Sequence, residues 1–242
     1  MALKRMIISG ESRGLGAALV VEYERAGYEI VELSRSGAST GSVNIDLAQP
    51  ESAQTILSAS FERLAADPCE ELLLFNNAGE VVPIGEVADK PLEAVLKNIN
   101  LNYAGAIVLI RTFIQAFQEL NCAKTIVNVS SGAALHGVQG WSLYCAAKAG
   151  IEHFIRTVAL EQAGHRYPIN AINVSPGLID TDMQQTIRSA TAGDFPRLSE
   201  FVEFKASGAL QRPELVARAF QSLLEKNPAS GSRHEIADYL DS

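Results

Sequence analysis

Cysteine, histidine, positive charge and long apolar runs are all scarce in this chain, and each scarcity closes off a class of function. Three cysteines in 242 residues (Cys69, Cys122 and Cys145) stand in no CxxC or other paired spacing. They read as buried or free thiols in a reducing compartment, not as a disulfide framework. Together with four histidines they make no metal-ligand spacing, so no metal is expected. Acidic side chains outnumber basic ones, 28 to 20, for a formal net charge of −8. That balance argues against a general nucleic-acid or anionic-membrane surface and leaves only a local basic pocket for a small anion. The most apolar helical stretch, Tyr103 to Phe117, is too short to span a bilayer and contains Arg111. The N-terminus has no signal-peptide apolar region. Internal repeats, low-complexity segments and linkers are missing as well. A cytoplasmic protein without a membrane or nucleic-acid partner is expected.

What is present is an ordinary globular composition, 47% hydrophobic and 20% charged, long enough to bury a sizeable core. Strand and helix patterns alternate along it. Arg5 to Ser9 reads as a buried strand, followed by glycines 10, 14 and 16 and a helical pattern ending at Gly27. Further strands are expected at Glu29 to Leu33, Ser42 to Ile45, Glu71 to Phe75, Ile126 to Val129 and Ile169 to Val174. Helices are expected at Pro50 to Ala66, at Leu92 to Leu120 with a kink near Asn98 to Asn102, around Tyr144 to Leu160, and at Glu214 to Leu224 behind Pro213. Pro83 to Pro91 reads as irregular, Asp180 to Ser207 as a substrate lid with helical pieces, and Ser230 to Ser242 as a closing tail. The economical architecture is α/β: one Rossmann-type, doubly wound parallel sheet flanked by helices in a single domain, 1–242. Its dinucleotide-binding half would span about 1–120 and its catalytic and substrate half about 121–242. The helices apolar around much of their circumference, Ala106 to Phe117 and Ala146 to Leu160, imply either a subunit interface or a thick intrachain core.

Several spacings carry chemistry. In a strand–glycine turn–helix unit, Gly10 permits a tight turn, Gly14 close approach of backbone to a phosphate, and Gly16 close helix–strand packing. The spacing is GxxxGxG, not GxGxxG, so alone it is a moderate signal. Past the second strand, a carboxylate would suit the ribose 2′-hydroxyl of NAD and an arginine the 2′-phosphate of NADP. The chain has Ser34, Arg35 and Ser36 there, with Arg13 in the glycine turn in reach of the same phosphate; NADP is favoured. Asp46 is placed either to bond an adenine amino group or to cap a turn. Asn76, Asn77, Ala78 and Gly79 follow a strand at its carboxyl end, where α/β sheets bind ligands. Tyr144 and Lys148, four apart on a helix, share one face, where an ammonium lowers the pKa of a nearby phenol. A serine hydroxyl before that helix would complete a site that binds a carbonyl oxygen and protonates it.

These motifs, in this order, identify the chain as resembling a classical short-chain dehydrogenase/reductase along nearly its whole length. They are Ser9-Gly10 through Gly14 and Gly16, Asn76 to Gly79, Ser131 thirteen residues before Tyr144, Tyr-x-x-x-Lys, and Pro176-Gly177 followed by Thr181. Ser9 replaces the family's usual threonine and keeps the hydroxyl. Within the family the likeness narrows to sepiapterin reductase, through Gly140 to Ala146, Asp180 to Gln185, and Leu223 to Lys226 with Ser230-Gly231. Bacterial benzil and diketone reductases share much of this signature.

The resemblance implies NADPH/NADP+ as cofactor and a homo-oligomer, a dimer or a tetramer. Tyr144 would be the general acid and Lys148 would hold the nicotinamide ribose. Ser131, preferred over Ser130 by its spacing, would donate to the substrate oxygen. Asn102, preferred over Asn100, would hold a water linking Lys148 to solvent. The cofactor would be held by Ser9, Gly10, Ser12, Arg13, Gly14, Leu15 and Gly16, then by Ser34, Arg35, Asp46, Leu47, Asn77, Ala78 and Gly79. Tyr144, Lys148, Pro176, Gly177, Ile179 and Thr181 would complete its site. Leu135, Trp141 and Met183 are candidates for the substrate wall, with the loop Ala133 to Ser142 as its floor; Trp141 reads equally as packing. Glu235, or Asp238 in a shifted reading, matches the aspartate that anchors the pterin. The implied activity is reduction of a small-molecule carbonyl, sepiapterin-like or an adjacent dicarbonyl. The alternatives are an NADP-dependent alcohol dehydrogenase of other specificity and a non-catalytic NADP sensor.

Overall fold

Met6, Ile7 and Ile8 are completely buried, and their alternation along one strand sets the layers of the molecule. Met6 and Ile8 face one helical layer and Ile7 faces the other. The computed structural model describes residues 3–35, 41–67 and 69–240; Ser36 lies outside them. The first half of the chain runs β1 (Lys4–Ser9), α1 (Gly14–Arg25), β2 (Tyr28–Ser34), β3 (Ser42–Asn44), α2 (Pro50–Ala65), β4 (Glu71–Asn76), α3 (Leu92–Ile99) and α4 (Ala106–Phe117). The second half runs β5 (Ala123–Val129), α5 (Ser142–Gln162), β6 (Asn170–Ser175), α6 (Asp182–Arg188), α7 (Leu198–Ala206), α8 (Pro213–Glu225) and β7 (Arg233–Glu235). Both halves contribute to one seven-stranded sheet, ordered β3-β2-β1-β4-β5-β6-β7, with every neighbouring pair parallel. This is the doubly wound sheet expected from the alternation. Helices α2, α4 and α5 cover one face and α1 and α8 the other. The order reverses between β1 and β4, so a crevice opens at their carboxyl ends.

Three expectations change. The long helix is two helices joined by a π-helical turn, Asn100–Gly105. The tail contains β7, which extends the sheet beyond β6, and a 3₁₀ turn, Ile236–Tyr239. Its three residues, Arg-His-Glu, have no apolar pattern that marks a strand. Finally, the apolarity of α4 is largely intrachain core: Leu109, Ile110, Phe113 and Phe117 are fully buried, the two phenylalanines against Phe61 of α2.

The structure also joins what the sequence separates. Cys69 and Cys122, just before β4 and β5, bring their sulfurs to 3.9 Å as free thiols. Burial pushes the Cys69 thiol up to about 11. Among the described residues, no helix is long and apolar enough to cross a membrane.

Candidate active site

The crevice is a cleft of about 640 Å³, a size that suits a small-molecule ligand. Its floor is built by close backbone approach. Gly10 has φ +72°, and a Cβ there would lie 2.7 Å from Ala78 Cα, so the turns after β1 and β4 touch. A Cβ on Gly16 would lie 2.2 Å from Gly10 O, so the first turn of α1 packs directly on the glycine turn after β1. The N-terminus of α1 therefore meets the cleft as bare backbone, a cradle that fits a diphosphate.

The structure brings most of the expected cofactor residues to this cleft. Gly10, Ser12, Arg13, Gly14 and Leu15 line it from the first turn, and Ser34, Arg35, Asp46 and Leu47 from the β2–β3 side. Asn77, Ala78 and Gly79 line it from β4, and Pro176, Ile179 and Thr181 from β6. Asp46 also caps its turn, accepting from the Ala48 amide at 3.0 Å. Arg13 is mostly exposed and pairs with Asp182 at 3.3 Å.

Ser9, Gly16 and Gly177 are not part of the lining. Ser9 is fully buried, and its Oγ accepts from the Asn77 and Ala78 amides, both at 3.1 Å. The hydroxyl thus clamps the β4 turn against β1 and is screened from the cleft by it. Asn77 completes the clamp, its Nδ2 donating to the carbonyls of Ser9 and Gly10.

At the other end of the cleft stand Tyr144 and Lys148, both buried on α5 and both lining it. The Lys148 Nζ donates to Val129 O at 2.7 Å and sits 5.6 Å from the Tyr144 ring centroid. The Ser131 Oγ accepts from the Ala133 amide at 3.2 Å, and the Ser131 hydroxyl acts to lower the Tyr144 pKa. Ser130 lines the cleft but turns its hydroxyl away to Glu152, at 2.5 Å.

The Tyr144 pKa does not follow the expectation of a lowered value. Burial pushes it up to about 12, and the Ser131 hydrogen bond offsets this only in part. Burial moves Lys148 the other way, down to about 8, against the raising influence of Glu152. Desolvation outweighs the attraction of cation for phenolate that the helix spacing implied.

Asn102 grips the Glu80 backbone from both sides, accepting from its amide at 2.9 Å and donating to its carbonyl at 2.8 Å. A Cβ on Gly79 would lie 3.1 Å from Asn102 Oδ1 and 3.8 Å from Lys148 Nζ, so both side chains converge on that glycine.

The substrate candidates fare less well. Met183 lines the cleft. Trp141 is instead stacked on Phe195, with centroids 4.9 Å apart, and packs edge-on to Tyr144 and Phe201. It ties the segment between α6 and α7 to α5. Leu135 is exposed and lies outside the lining, as does the rest of the loop Ala133 to Ser142. The cleft is lined instead by Val81, Val82, Lys97 and Leu101, on the chain from the exit of β4 into the π turn. The stretch Glu80 to Val82 takes its order from Asn98 and Asn102 gripping its backbone, not from periodicity. Glu235 also lies outside the lining, paired with Arg233 on the same strand. Asp238 lies in the 3₁₀ turn after it, likewise outside the lining.

A family model described as short chain dehydrogenase matches residues 4–192. The chain is 34% identical over 239 residues to the benzil reductase, (S)-benzoin forming, of Bacillus subtilis (strain 168), covering 97% of this chain and 98% of the relative. It is 30% identical over 257 residues to the sepiapterin reductase of Mus musculus, covering 97% and 96%. Among solved structures, the KRED1-Pglu enzyme superposes with a TM-score of 0.81 at 25% identity, covering 95% of this chain and 99% of that one. A family model spanning most of the chain and relatives matched end to end agree with the parallel sheet and the glycine-floored cleft: the chain belongs to the short-chain dehydrogenase family.

Proposed function

We propose that the protein is an NADPH-dependent carbonyl reductase, acting on a benzil-like adjacent dicarbonyl or a sepiapterin-like side-chain ketone. The observation that carries this reading is the Tyr144 hydroxyl, under the influence of the Ser131 hydroxyl at a ligand-sized cleft and kept protonated by burial. A phenol that holds its proton is a general acid for an oxygen gaining negative charge. NADPH, when bound, supplies the hydride that reduces the carbonyl carbon. Tyr144 transfers its proton to the carbonyl oxygen, and Ser131 stabilises the charge that develops there. Lys148 holds the ribose hydroxyls and, ionising at about 8, is the adjacent group through which the phenolate regains a proton. Two arginines, Arg13 and Arg35, and two hydroxyls, Ser12 and Ser34, at the β2 side of the cleft support the 2′-phosphorylated cofactor. The apolar Val81, Val82, Leu101 and Met183 support a hydrophobic carbonyl substrate, as do the names of the relatives. A cytoplasmic homo-oligomer belongs to the same reading.

Tyr144→Phe is expected to lower turnover by about 10²-fold or more and to leave NADPH binding nearly intact. Normal turnover in that variant overturns the mechanism. An NADPH-oxidation screen with benzil, diacetyl-type diketones, sepiapterin and simple ketones tests the substrate class; activity on simple ketones alone refutes it.

A further inference from the structure

Helix α5 carries a buried charge that the proposed reaction does not use. Glu152 stands one helical turn beyond Lys148 and is 1% exposed. Its Oε1 accepts from the Ser130 hydroxyl at 2.5 Å and from Arg233 Nε of β7 at 2.8 Å. The first distance falls in the short range of a hydroxyl bonded to an ionised carboxylate. The Oε2 lies 3.9 Å from half-exposed Arg156, one turn further along α5. Among the described residues, the charges that bear on this carboxyl are Lys148 and Arg156 on its own helix and Arg233 on β7, which also pairs with Glu235. From β5 and β6 come only neutral groups, the Ser130 hydroxyl and the Asn173 amide that donates to the Glu152 carbonyl at 3.1 Å.

Ser130 stands where the chain leaves the sheet. Its amide still donates to Val174 O of β6 at 2.8 Å, and from Ser131 the chain turns into the 3₁₀ segment Gly132–Ala134. Ser130 is thus held twice, by its amide to β6 and by its hydroxyl to α5. The residues on either side of it both serve the site: Val129 O accepts from Lys148 Nζ, and Ser131 supplies the hydroxyl proposed to meet the substrate oxygen. One side-chain bond therefore ties the exit of β5 to the helix that carries Tyr144 and Lys148. A carboxylate is stable in such a buried junction only with a cation and hydrogen bonds to meet it. Arg233 supplies the cation, which gives the short, non-apolar β7 a role that core packing does not.

We propose that Glu152 is a positioning residue for carbonyl reduction: through Ser130 it fixes Ser131 and the Val129 carbonyl against Tyr144 and Lys148, with Arg233 as its counter-charge. This deepens the proposed reductase function and rests on it. Without the carboxylate, the Ser130 hydroxyl loses its acceptor, and the peptide it shares with Ser131 is free to shift relative to α5. A shift on the order of 1 Å between reacting groups is enough to cost about 10²-fold in rate. The glycine-floored cradle between the turns after β1 and β4 is untouched by that shift, so NADPH binding should persist.

A buried ion pair can also hold a fold without bearing on the reaction, and two double variants separate these roles. Glu152→Gln/Arg233→Met and Glu152→Met/Arg233→Met both remove the pair of charges, and both lose the influence of Glu152 on Lys148. They differ in one respect: Gln keeps an acceptor for the Ser130 hydroxyl and Met does not. The test measures the melting temperature, NADPH affinity and kcat of each, with the carbonyl that the NADPH-oxidation screen finds best for the parent. The kcat of the Met double should lie about tenfold below that of the Gln double, at similar melting temperature and nearly equal NADPH affinity. Ser130→Ala removes the same bond with both charges in place, and it should lower kcat in like proportion even where a double variant fails to fold. Equal kcat in the two doubles, or in Ser130→Ala and the parent, overturns this inference and leaves the reductase reading standing. A fall in kcat that only tracks a fall in melting temperature marks a structural ion pair and overturns it as well. Failure of the parent to oxidise NADPH with any carbonyl of the screen overturns the reductase reading, and this inference with it.

Discussion

Burial moves the two ionisable groups of α5 in opposite senses, and the consequence is a usable pH range. Tyr144 is pushed up to about 12 and Lys148 down to about 8, because desolvation penalises an anion in the first case and a cation in the second. At neutral pH the pair is a neutral phenol beside a charged ammonium, the state from which the proposed carbonyl reduction starts. As pH rises through about 8, Lys148 loses its charge while Tyr144 keeps its proton. The reduction rate is expected to fall along an alkaline limb with a midpoint near 8. Lys148→Arg, which stays charged, should remove that limb at a reduced maximal rate; a limb unchanged in the variant assigns it to another group. Unfolding does not mimic the effect. Lys148 titrates lower in the folded state than its ordinary 10.5, so the unfolded chain binds more protons between the two values. Stability through this group therefore rises with pH across that window.

At the scale of elements, two devices hold the site. One is the π-helical turn between α3 and α4, an extra-wide turn of the kind found at functional sites. It carries Asn102 inward onto the Glu80 backbone, and its last residue, Gly105, packs where a Cβ would lie 2.3 Å from Leu47 O. The other is a buried ladder of amides across β4, β5 and β6. Asn76 Nδ2 donates to Asn128 Oδ1 at 2.9 Å, Asn128 Nδ2 to Asn173 Oδ1 at 2.8 Å, and Asn173 Nδ2 to the Glu152 carbonyl at 3.1 Å. It locks the carboxyl ends of the strands whose turns carry Gly79, Ser131 and Pro176. Asn128→Leu would orphan a donor on one side and an acceptor on the other, at about 1–3 kcal/mol each. The melting temperature should drop on the order of 10 °C; an unchanged melt would show that the ladder contributes little. The kink in the long helix was legible from its polar interruption. The ladder was not, because a lone asparagine in an apolar strand acquires its meaning only from the residues beside it in register.

Across the whole molecule, one apolar surface stripe stays partly exposed among the described residues, although the Tyr103 ring rests against Gly150 of α5. Leu92, Leu96, Ile99 and Tyr103 are 69, 49, 38 and 38% exposed and recur at helical spacing along α3 and the π turn. Sedimentation of the protein should give a multiple of the monomer mass, and Leu96→Lys should shift it toward monomer; a monomeric parent refutes self-association through this face. The chain-local properties were decided by sequence alone. The alternation of strands and helices, the glycine turn, and Tyr144 one helical turn before Lys148 depend on residues only a few positions apart, and periodicity and sterics act at that range. Properties that depend on strand register waited for the tertiary structure. Ser9 becomes a clamp because β4 ends beside it, and Cys69 meets Cys122 because β4 and β5 begin together. Val81, Val82 and Leu101 line the cleft, and the loop Ala133 to Ser142 does not, because asparagines of α3 and the π turn hold the exit of β4 over it. Burial, which no local pattern reports for Tyr144, then keeps it protonated.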